Sequence, residues 1–132
     1  MRKKIIFGWC ILQLNTEPLL RPSTLFSVCN AASNAAKNYG IYPGLNAFDN
    51  MFKEQVKTPS KTYSRQNLPS YFTTDIQAEV LVKDQISIQN IKTVHLPSEK
   101  KLKQYQAAFN LLSLKSDLFA VNEPLFTAPI LR

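Results

Sequence analysis

Glycine is scarce in this chain, with only three residues among 132. Phosphate-binding loops of the G-x-G-x-x-G and Walker A types need glycines at fixed spacing, because the backbone must approach the phosphates closely. Neither pattern occurs in the sequence. A Rossmann or P-loop nucleotide site is therefore excluded, and any nucleotide must be bound in another way.

Histidine and cysteine are also rare: the chain has His95, Cys10 and Cys29 only. The cysteines lack C-x-x-C spacing and a neighbouring histidine, so we expect no metal site. Cys10 lies in an apolar run and is predicted to be a small core residue, with both thiols free as in a cytoplasmic protein. A disulfide stays an open alternative. His95 is predicted to end a strand and to make a local hydrogen bond.

Long apolar runs are absent as well. Arg2-Lys3-Lys4 followed by Ile5–Leu12 is similar to a short signal peptide, which makes secretion one alternative. The run is much shorter than a membrane span, and no small-residue cleavage site follows it. We therefore expect a buried strand over 5–14 in a protein with no membrane association. Within that strand, Phe7 and Trp9 are predicted to be core residues.

The net charge of +7, with 16 basic and 9 acidic residues, favours polyanionic partners without naming one. The length fits one domain, and the pattern along it predicts an α+β fold. Further strands are predicted to begin at Leu25 and to span 77–83 and 91–96, with helices over 31–37, 46–55 and 99–112. The polar segment 57–74 is predicted to be a long loop and 113–132 an irregular tail.

A carboxylate interrupts the strand-like run Gln77-Ala78-Glu79-Val80-Leu81-Val82. Side chains alternate along a strand, so Gln77 and Glu79 share a polar face while Val80 and Val82 point to the core. Burying an ionised Glu is costly unless it is paired or used. Glu79 is therefore a candidate catalytic residue; the alternative is a glutamate at a strand edge that faces solvent.

Basic residues recur every fourth position before Glu79, with aromatic residues between them. Cations attract phosphates, and aromatic rings stack on unpaired bases. This pattern predicts a nucleic-acid interface, and a solvated basic loop is the alternative. The basic residues are Lys53, Lys57, Lys61 and Arg65, and the aromatic ones are Tyr63, Tyr71 and Phe72. Of these, the candidate DNA contacts are Lys57, Lys61, Tyr63 and Arg65.

Two segments carry a resemblance to a known family. Asp75–Val82, followed by Ile86–Ile91, resembles the C-terminal signature of the DarT family, and Leu25–Ser33 resembles that family's Phe-Ser-Asp-Gly-Asn-Ala-Ala-Ser stretch. Both occur in the family's order, and the similarity covers roughly residues 5–110. DarT proteins are toxins of bacterial toxin–antitoxin and phage-defence systems, and they transfer ADP-ribose from NAD to thymidine in single-stranded DNA.

The resemblance implies an ADP-ribosyltransferase-like fold, with 1–112 as the C-terminal portion of the DarT-like domain and 113–132 as its tail. It implies that Glu79 is the catalytic carboxylate and that the preceding loop contacts single-stranded DNA. NAD would be a substrate, no metal would be needed, and a macrodomain antitoxin of the DarG type would be the partner in the cytoplasm.

The chain also departs from the family pattern. Val28-Cys29 replaces the family's Asp-Gly, so Asn30 and Ser33 are expected to cap a helix, with pyrophosphate binding as the alternative. No residue matches the family's NAD-binding His or its supporting Arg, because His95 lies downstream of Glu79 and Arg2 and Arg21 lie outside both motifs. We therefore expect the domain to lack its N-terminal part and to have little or no transferase activity alone. A non-catalytic remnant and a basic nucleic-acid- or protein-binding module are the alternatives.

Overall fold

The computed structural model describes residues 9–58, 61–111 and 116–127. In chain order its elements are β1 (Ile11–Leu14), α1 (Glu17–Leu20), β2 (Leu25–Ser27), α2 (Ala36–Tyr39), β3 (Tyr42–Pro43), α3 (Leu45–Asn50), β4 (Gln55–Lys57), β5 (Thr62–Ser64), β6 (Glu79–Leu81), β7 (Ile91–Leu96), α4 (Glu99–Leu111), β8 (Phe119–Val121) and α5 (Pro124–Thr127), with 3-10 turns at Ile88–Asn90 and Ser116–Leu118. Helices alternate with small sheets, as the α+β prediction requires.

The chain forms two compact units. The central unit is Thr16–Ile86, and the terminal unit combines Met1–Asn15 with Ser87–Arg132. Within the described residues, no helix is long and apolar enough to cross a bilayer.

The central unit is built on a three-stranded antiparallel sheet in which β2 lies between β3 and β6. Across β2 and β6, Phe26 faces Val80 and Ser27 faces Glu79. Because cross-strand neighbours project to the same side of a sheet, Ser27 and Glu79 share one face and Phe26 lies on the other. A separate antiparallel hairpin pairs β4 with β5.

Two apolar clusters hold the central unit together. Helix α3 covers the Phe26 face of the sheet, where Phe26, Ala47 and Met51 are buried and the Phe26 and Phe48 rings meet edge-on at 5.6 Å. The second cluster packs the segment after β2 and helix α2 against β4. Its buried members are Val28, Cys29, Ala35, Ala36 and Val56. Both clusters are small, and the apolar area that they remove from water is the main stabilising term of this unit.

The helix predicted over 31–37 is wrong for its first part. Residues 31–35 form turns, and α2 begins only at Ala36. In these turns Ala31 N–H donates to Glu79 and Ala32 N–H donates to Asn30. Helix α2 ends at Gly40, whose φ of 76° suits glycine.

Two other predictions in this unit need correction. Helix α3 ends at Asn50 rather than 55, because β4 takes Gln55–Lys57, and its N-terminal cap is Gly44 rather than Asn46. The long loop predicted over 57–74 contains β5, and the turn that joins it to β4 is closed by Thr58 N–H donating to the Lys61 carbonyl at 2.7 Å.

In the terminal unit, β7 pairs with β1 antiparallel and with β8 in parallel. The bounds predicted for β7 are confirmed, and α4 begins and ends within one residue of its prediction. Ser98 Oγ accepts a bond from Lys101 N–H, as a cap does. The tail is not irregular throughout, because β8 and α5 lie within it.

The N-terminal strand differs from its prediction. Residues 1–8, including Phe7, lie outside the described part, and β1 spans only Ile11–Leu14. Trp9 is 84 % exposed and Cys10 is also exposed, so neither is the core residue that the sequence predicted. β1 is the edge strand of its sheet, which leaves it less covered than a central strand. The expectation of free thiols is confirmed for both cysteines.

Candidate active site

Glu79 is the first residue of β6, so the strand predicted over 77–83 is shorter than expected. Gln77 lies in the preceding turn, where its N–H donates to Asp75 Oδ1 at 2.9 Å and Ala78 N–H donates to the Asp75 carbonyl at 3.0 Å. Gln77 therefore does not extend a polar strand face next to Glu79. The opposite face is also only partly covered, since Val80 is 37 % exposed.

The Glu79 carboxylate is half-buried and fixed in direction. Ala31 N–H donates to its Oε2 atom at 3.0 Å. A backbone amide orients a carboxylate and stabilises its charge without the full neutralisation that a cation would bring. The group is thus held in place at the start of a strand, as a catalytic carboxylate would be and as a carboxylate that only caps a turn would be.

The turn after β2 supplies this amide. Ser27 is fully buried, and its Oγ donates to the Cys29 carbonyl at 2.7 Å. Asn30 Oδ1 accepts the Ala32 N–H at 2.9 Å, so Asn30 caps a turn rather than a helix. Ser33 Oγ lies 3.8 Å from the Cys29 sulfur. The Ala31–Glu79 bond joins this turn to β6, 48 residues further along the chain.

A cavity of about 230 Å³, here called the polar cavity, is bordered by sequence neighbours of both partners in this bond. It brings the Asn30 and Ser33 candidates together with Tyr63 and with the turn before Glu79. Its lining residues are Cys29, Asn30, Ser33, Asn34, Ala35, Thr58, Tyr63, Asp75 and Gln77. Asp75 is only 1 % exposed, and its role is not predicted from the sequence. Aspartate side chains often accept a hydrogen bond from the backbone N–H two residues further on, which is a common turn signal.

Lys57 is the last residue of β4 and Lys61 directly precedes β5; these paired strands with their two lysines (residues 55–58 and 61–64) are here called the basic hairpin. Both side chains are exposed. Lys57 is fixed through its backbone, because Tyr39 Oη bonds both its N–H and its carbonyl. The Lys61 ammonium lies 5.3 Å from the centre of the Tyr63 ring. Two of the cations are therefore presented by a paired and defined element.

Arg65 follows the basic hairpin and uses its guanidinium differently. Nη1 donates to the Phe72 carbonyl at 2.6 Å, and Nη2 donates to the Pro69 and Ser70 carbonyls at 3.1 and 3.3 Å. The sequence places Arg65 with the other cations, but here its charge faces the chain's own backbone.

The remaining candidates are engaged elsewhere. His95 Nε2 lies 2.9 Å from Gln13 Oε1 in the terminal unit, so its hydrogen bond is made across β1 and β7 rather than locally in the sequence as predicted. Arg21 binds both carboxylate oxygens of Glu17 at 2.8 and 2.9 Å, and this bond raises the pKa of Arg21. Arg21 also donates to the Gln85 carbonyl at 3.0 Å. Arg2 lies outside the described residues.

Comparison with known families gives one match of decisive extent. The sequence profile described as "ssDNA thymidine ADP-ribosyltransferase, DarT" matches residues 3–126. The chain belongs to this family. Comparison with curated proteins gives no match.

Membership in DarT makes the chain a member of an ADP-ribosyltransferase family whose substrate is thymidine in single-stranded DNA. ADP-ribosyltransferases take their ADP-ribose from NAD. The matched region extends beyond the two motif segments and includes β8. In DarT terms, the Ala31–Glu79 bond is a contact between the two segments that carried the resemblance.

Proposed function

We propose that this chain acts as a DarT-type mono-ADP-ribosyltransferase with Glu79 as its catalytic carboxylate. The observation that supports this assignment is the Ala31–Glu79 bond, which brings the two DarT-like segments together beside the polar cavity. A carboxylate at this position is oriented and partly removed from water, and sequence neighbours of both bonded residues, Asn30 and Gln77, line a space that can hold part of a substrate.

The chemistry needs one such group. The bond between nicotinamide and ribose breaks, nicotinamide leaves with the electron pair, and an oxocarbenium-like sugar forms. Glu79 stabilises this cation by charge and then takes the proton that the thymine base loses as its nitrogen bonds to the sugar. The products are ADP-ribosylated DNA and nicotinamide.

The basic hairpin is proposed to receive the DNA strand. Lys57 and Lys61 are exposed and are placed to contact phosphates, whereas Tyr63 lines the polar cavity and would contact a base there. Arg65 belongs to the same predicted set, but its guanidinium bonds the carbonyls of the loop that follows it, so it supports that loop.

The finer family traits are proposals at the same level. They are an ADP-ribosyltransferase-like fold over 1–112, toxin activity restrained by a macrodomain antitoxin of the DarG type, and a cytoplasmic site of action. The pairing of β8 with β7 argues for placing part of 113–132 in the same domain. Because no residue matches the family's NAD-binding His, we propose that these 132 residues turn over slowly by themselves.

The test is a long incubation with labelled NAD and a thymidine-containing single strand, with a thymidine-free strand as control. We expect slow, thymidine-dependent labelling that Glu79→Gln abolishes. Labelling that is unchanged in this variant would contradict the assignment of Glu79.

The second candidate is a DNA-binding remnant without transferase activity. It is favoured by the single histidine of the chain being bonded to Gln13. Strand binding with no labelling under any condition would decide for it.

A further inference from the structure

Both the backbone and the guanidinium of Arg65 are held by contacts with the central unit. Its backbone N–H donates to the Glu54 carbonyl at 3.0 Å, and its guanidinium carbon lies 5.5 Å from the centre of the Phe52 ring. Three carbonyls of the following loop accept its N–H groups, and Thr74 Oγ1 lies 3.5 Å from Nη1. This side chain therefore ties together the segment 65–74, here called the arginine loop, in addition to the backbone bonds within it.

The three carbonyls belong to residues on both sides of Tyr71. Pro69 and Ser70 precede it and Phe72 follows it. Tyr71 is 79 % exposed, and its ring centre lies 5.1 Å from that of Phe72, which is half-buried. The loop thus displays one aromatic ring to solvent and backs it with a second.

The far end of the arginine loop is fixed as well. Thr74 is buried, its N–H donates to the Met51 carbonyl at 2.9 Å, and its hydroxyl donates to the Lys53 carbonyl. With both ends tied to the end of α3 and to the segment that follows it, the position of Tyr71 depends on the bonds in between. The backbone supplies two of them, Leu68 N–H to the Arg65 carbonyl at 2.8 Å and Phe72 N–H to the Pro69 carbonyl at 3.0 Å, and the Arg65 guanidinium supplies the bonds to the carbonyls on both sides of Tyr71.

A guanidinium suits this task and an ammonium does not. Arginine has five N–H donors in a rigid planar fork, whereas lysine has three donors on a single flexible point charge. A loop that displays an exposed ring in one fixed direction is preorganised for stacking, since little entropy is lost when a partner binds.

We propose that Tyr71 is a stacking platform for an unpaired nucleobase of single-stranded DNA and that Arg65 is the positioning residue that holds it. The proposal rests on the proposed function only in taking the ligand to be single-stranded DNA. It assigns to Arg65 the carbonyls of its own loop in place of a phosphate. It also gives Tyr71 a role separate from that of Tyr63, which lines the polar cavity.

The first test uses the whole chain and fluorescence anisotropy with two strands of equal length, oligothymidine and a strand of abasic sites. Wild type should bind oligothymidine about 5- to 100-fold more tightly, because a stacked base contributes that much. Tyr71→Ala should reduce this preference to what the Tyr63 base contact supplies and leave binding to the abasic strand unchanged. Tyr42→Ala is the matched control, since Tyr42 is another tyrosine of the central unit and is 59 % exposed.

The second test separates positioning from phosphate contact. Arg65→Lys keeps the charge, so it should weaken oligothymidine binding while the slope of log affinity against log salt stays the same. Hydrogen exchange in 66–74 should speed up in this variant, and the urea midpoint should report any global loss of fold. Normal base preference together with unchanged exchange in Arg65→Lys would overturn the role of Arg65.

The outcomes also separate this inference from the proposed function. Equal wild-type affinity for the two strands overturns the platform and leaves the transferase proposal standing. If Tyr71→Ala reduces base preference and wild type transfers nothing from labelled NAD, the platform is supported and the transferase proposal is overturned. An equal effect of Tyr42→Ala and Tyr71→Ala would overturn the platform, because any exposed tyrosine would then serve.

Discussion

Glu79 shows how much of a site can depend on one hydrogen bond. Its carboxylate accepts the Ala31 N–H and so ties the turns at 31–35 to β6. A glutamine at 79 can accept the same N–H but cannot carry the negative charge. This substitution therefore separates the structural use of the side chain from its chemical use.

We expect Glu79→Gln to retain the fold and to lose transfer. Its free energy of unfolding should lie within about 0.5 kcal/mol of wild type, while labelling of thymidine DNA falls by roughly 10²–10⁴-fold, as for other single catalytic groups. Urea titration and the labelled-NAD assay measure the two effects. Glu54→Gln is the control, because Glu54 is an exposed glutamate of the same unit. A fold lost in Glu79→Gln but not in the control would favour a purely structural glutamate.

Asp75, in contrast to Glu79, is expected to matter for stability and not for catalysis. It is 1 % exposed and its carboxylate accepts the Gln77 N–H at 2.9 Å. Asp75→Ala should lower the free energy of unfolding by about 1–3 kcal/mol, since it removes a buried side chain and leaves the Gln77 N–H without its acceptor. Asp75→Asn should cost less because it keeps an acceptor. Urea midpoints compare the two, and equal costs would show that this hydrogen bond is not what Asp75 contributes.

At the scale of elements, the basic hairpin contains paired strands where the sequence predicted a loop. Its register places Lys57 opposite Thr62, and the Val56 side chain of β4 is fully buried. Two lysines on such an element have fixed backbones, so their charges are presented along a defined path. A phosphate backbone that follows this path would release ions from both contacts.

Neutralising Lys57 and Lys61 together as glutamines should weaken binding of oligothymidine and flatten its log–log salt slope by about 1.4 units, since each phosphate contact contributes about 0.7. Fluorescence anisotropy across a salt series measures this. The control is neutralisation of Lys100 and Lys103, two exposed lysines of α4. If the control changes the slope as much as the hairpin variant does, the effect is one of net charge alone.

Tyr63 should behave differently from the lysines of its own hairpin. Tyr63→Ala removes a ring from the wall of the polar cavity, so affinity for oligothymidine should fall with little change in salt slope, because stacking releases few ions. The same salt series measures both quantities. A slope that flattens as it does for the lysines would contradict a base contact.

At the scale of the whole molecule, the sequence predicts local elements better than it predicts what brings them together. The bounds of β7 and the glycine that ends α2 follow from strand pattern and backbone freedom. The alanine-rich stretch at 31–35 has high helix propensity, yet it forms turns, and Ala35 is buried in the second apolar cluster. Propensity is a weak local term, and tertiary contacts override it.

The candidate site divides in the same way. The position of Glu79 on a strand follows from alternation and from the DarT-like motif, although the strand is shorter than predicted. The polar cavity, by contrast, collects residues from four separate parts of the chain, and no local pattern contains that information. The role of Arg65 was hidden for another reason, since its spacing matches the lysines while its geometry does not.

His95, the single histidine of the chain, is not expected to bind NAD. Its Nε2 bonds Gln13, and its Nδ1 atom is buried without a hydrogen-bond partner among the described residues. A ring held in this way is not presented to a dinucleotide. We therefore expect His95→Ala to leave NAD binding and the slow labelling of thymidine DNA unchanged, measured by calorimetry and by the labelled-NAD assay, with Glu79→Gln as the inactive control. A large loss of NAD affinity in His95→Ala would show that the family's missing histidine has a substitute here, and rapid labelling by wild type would contradict the expected slow turnover.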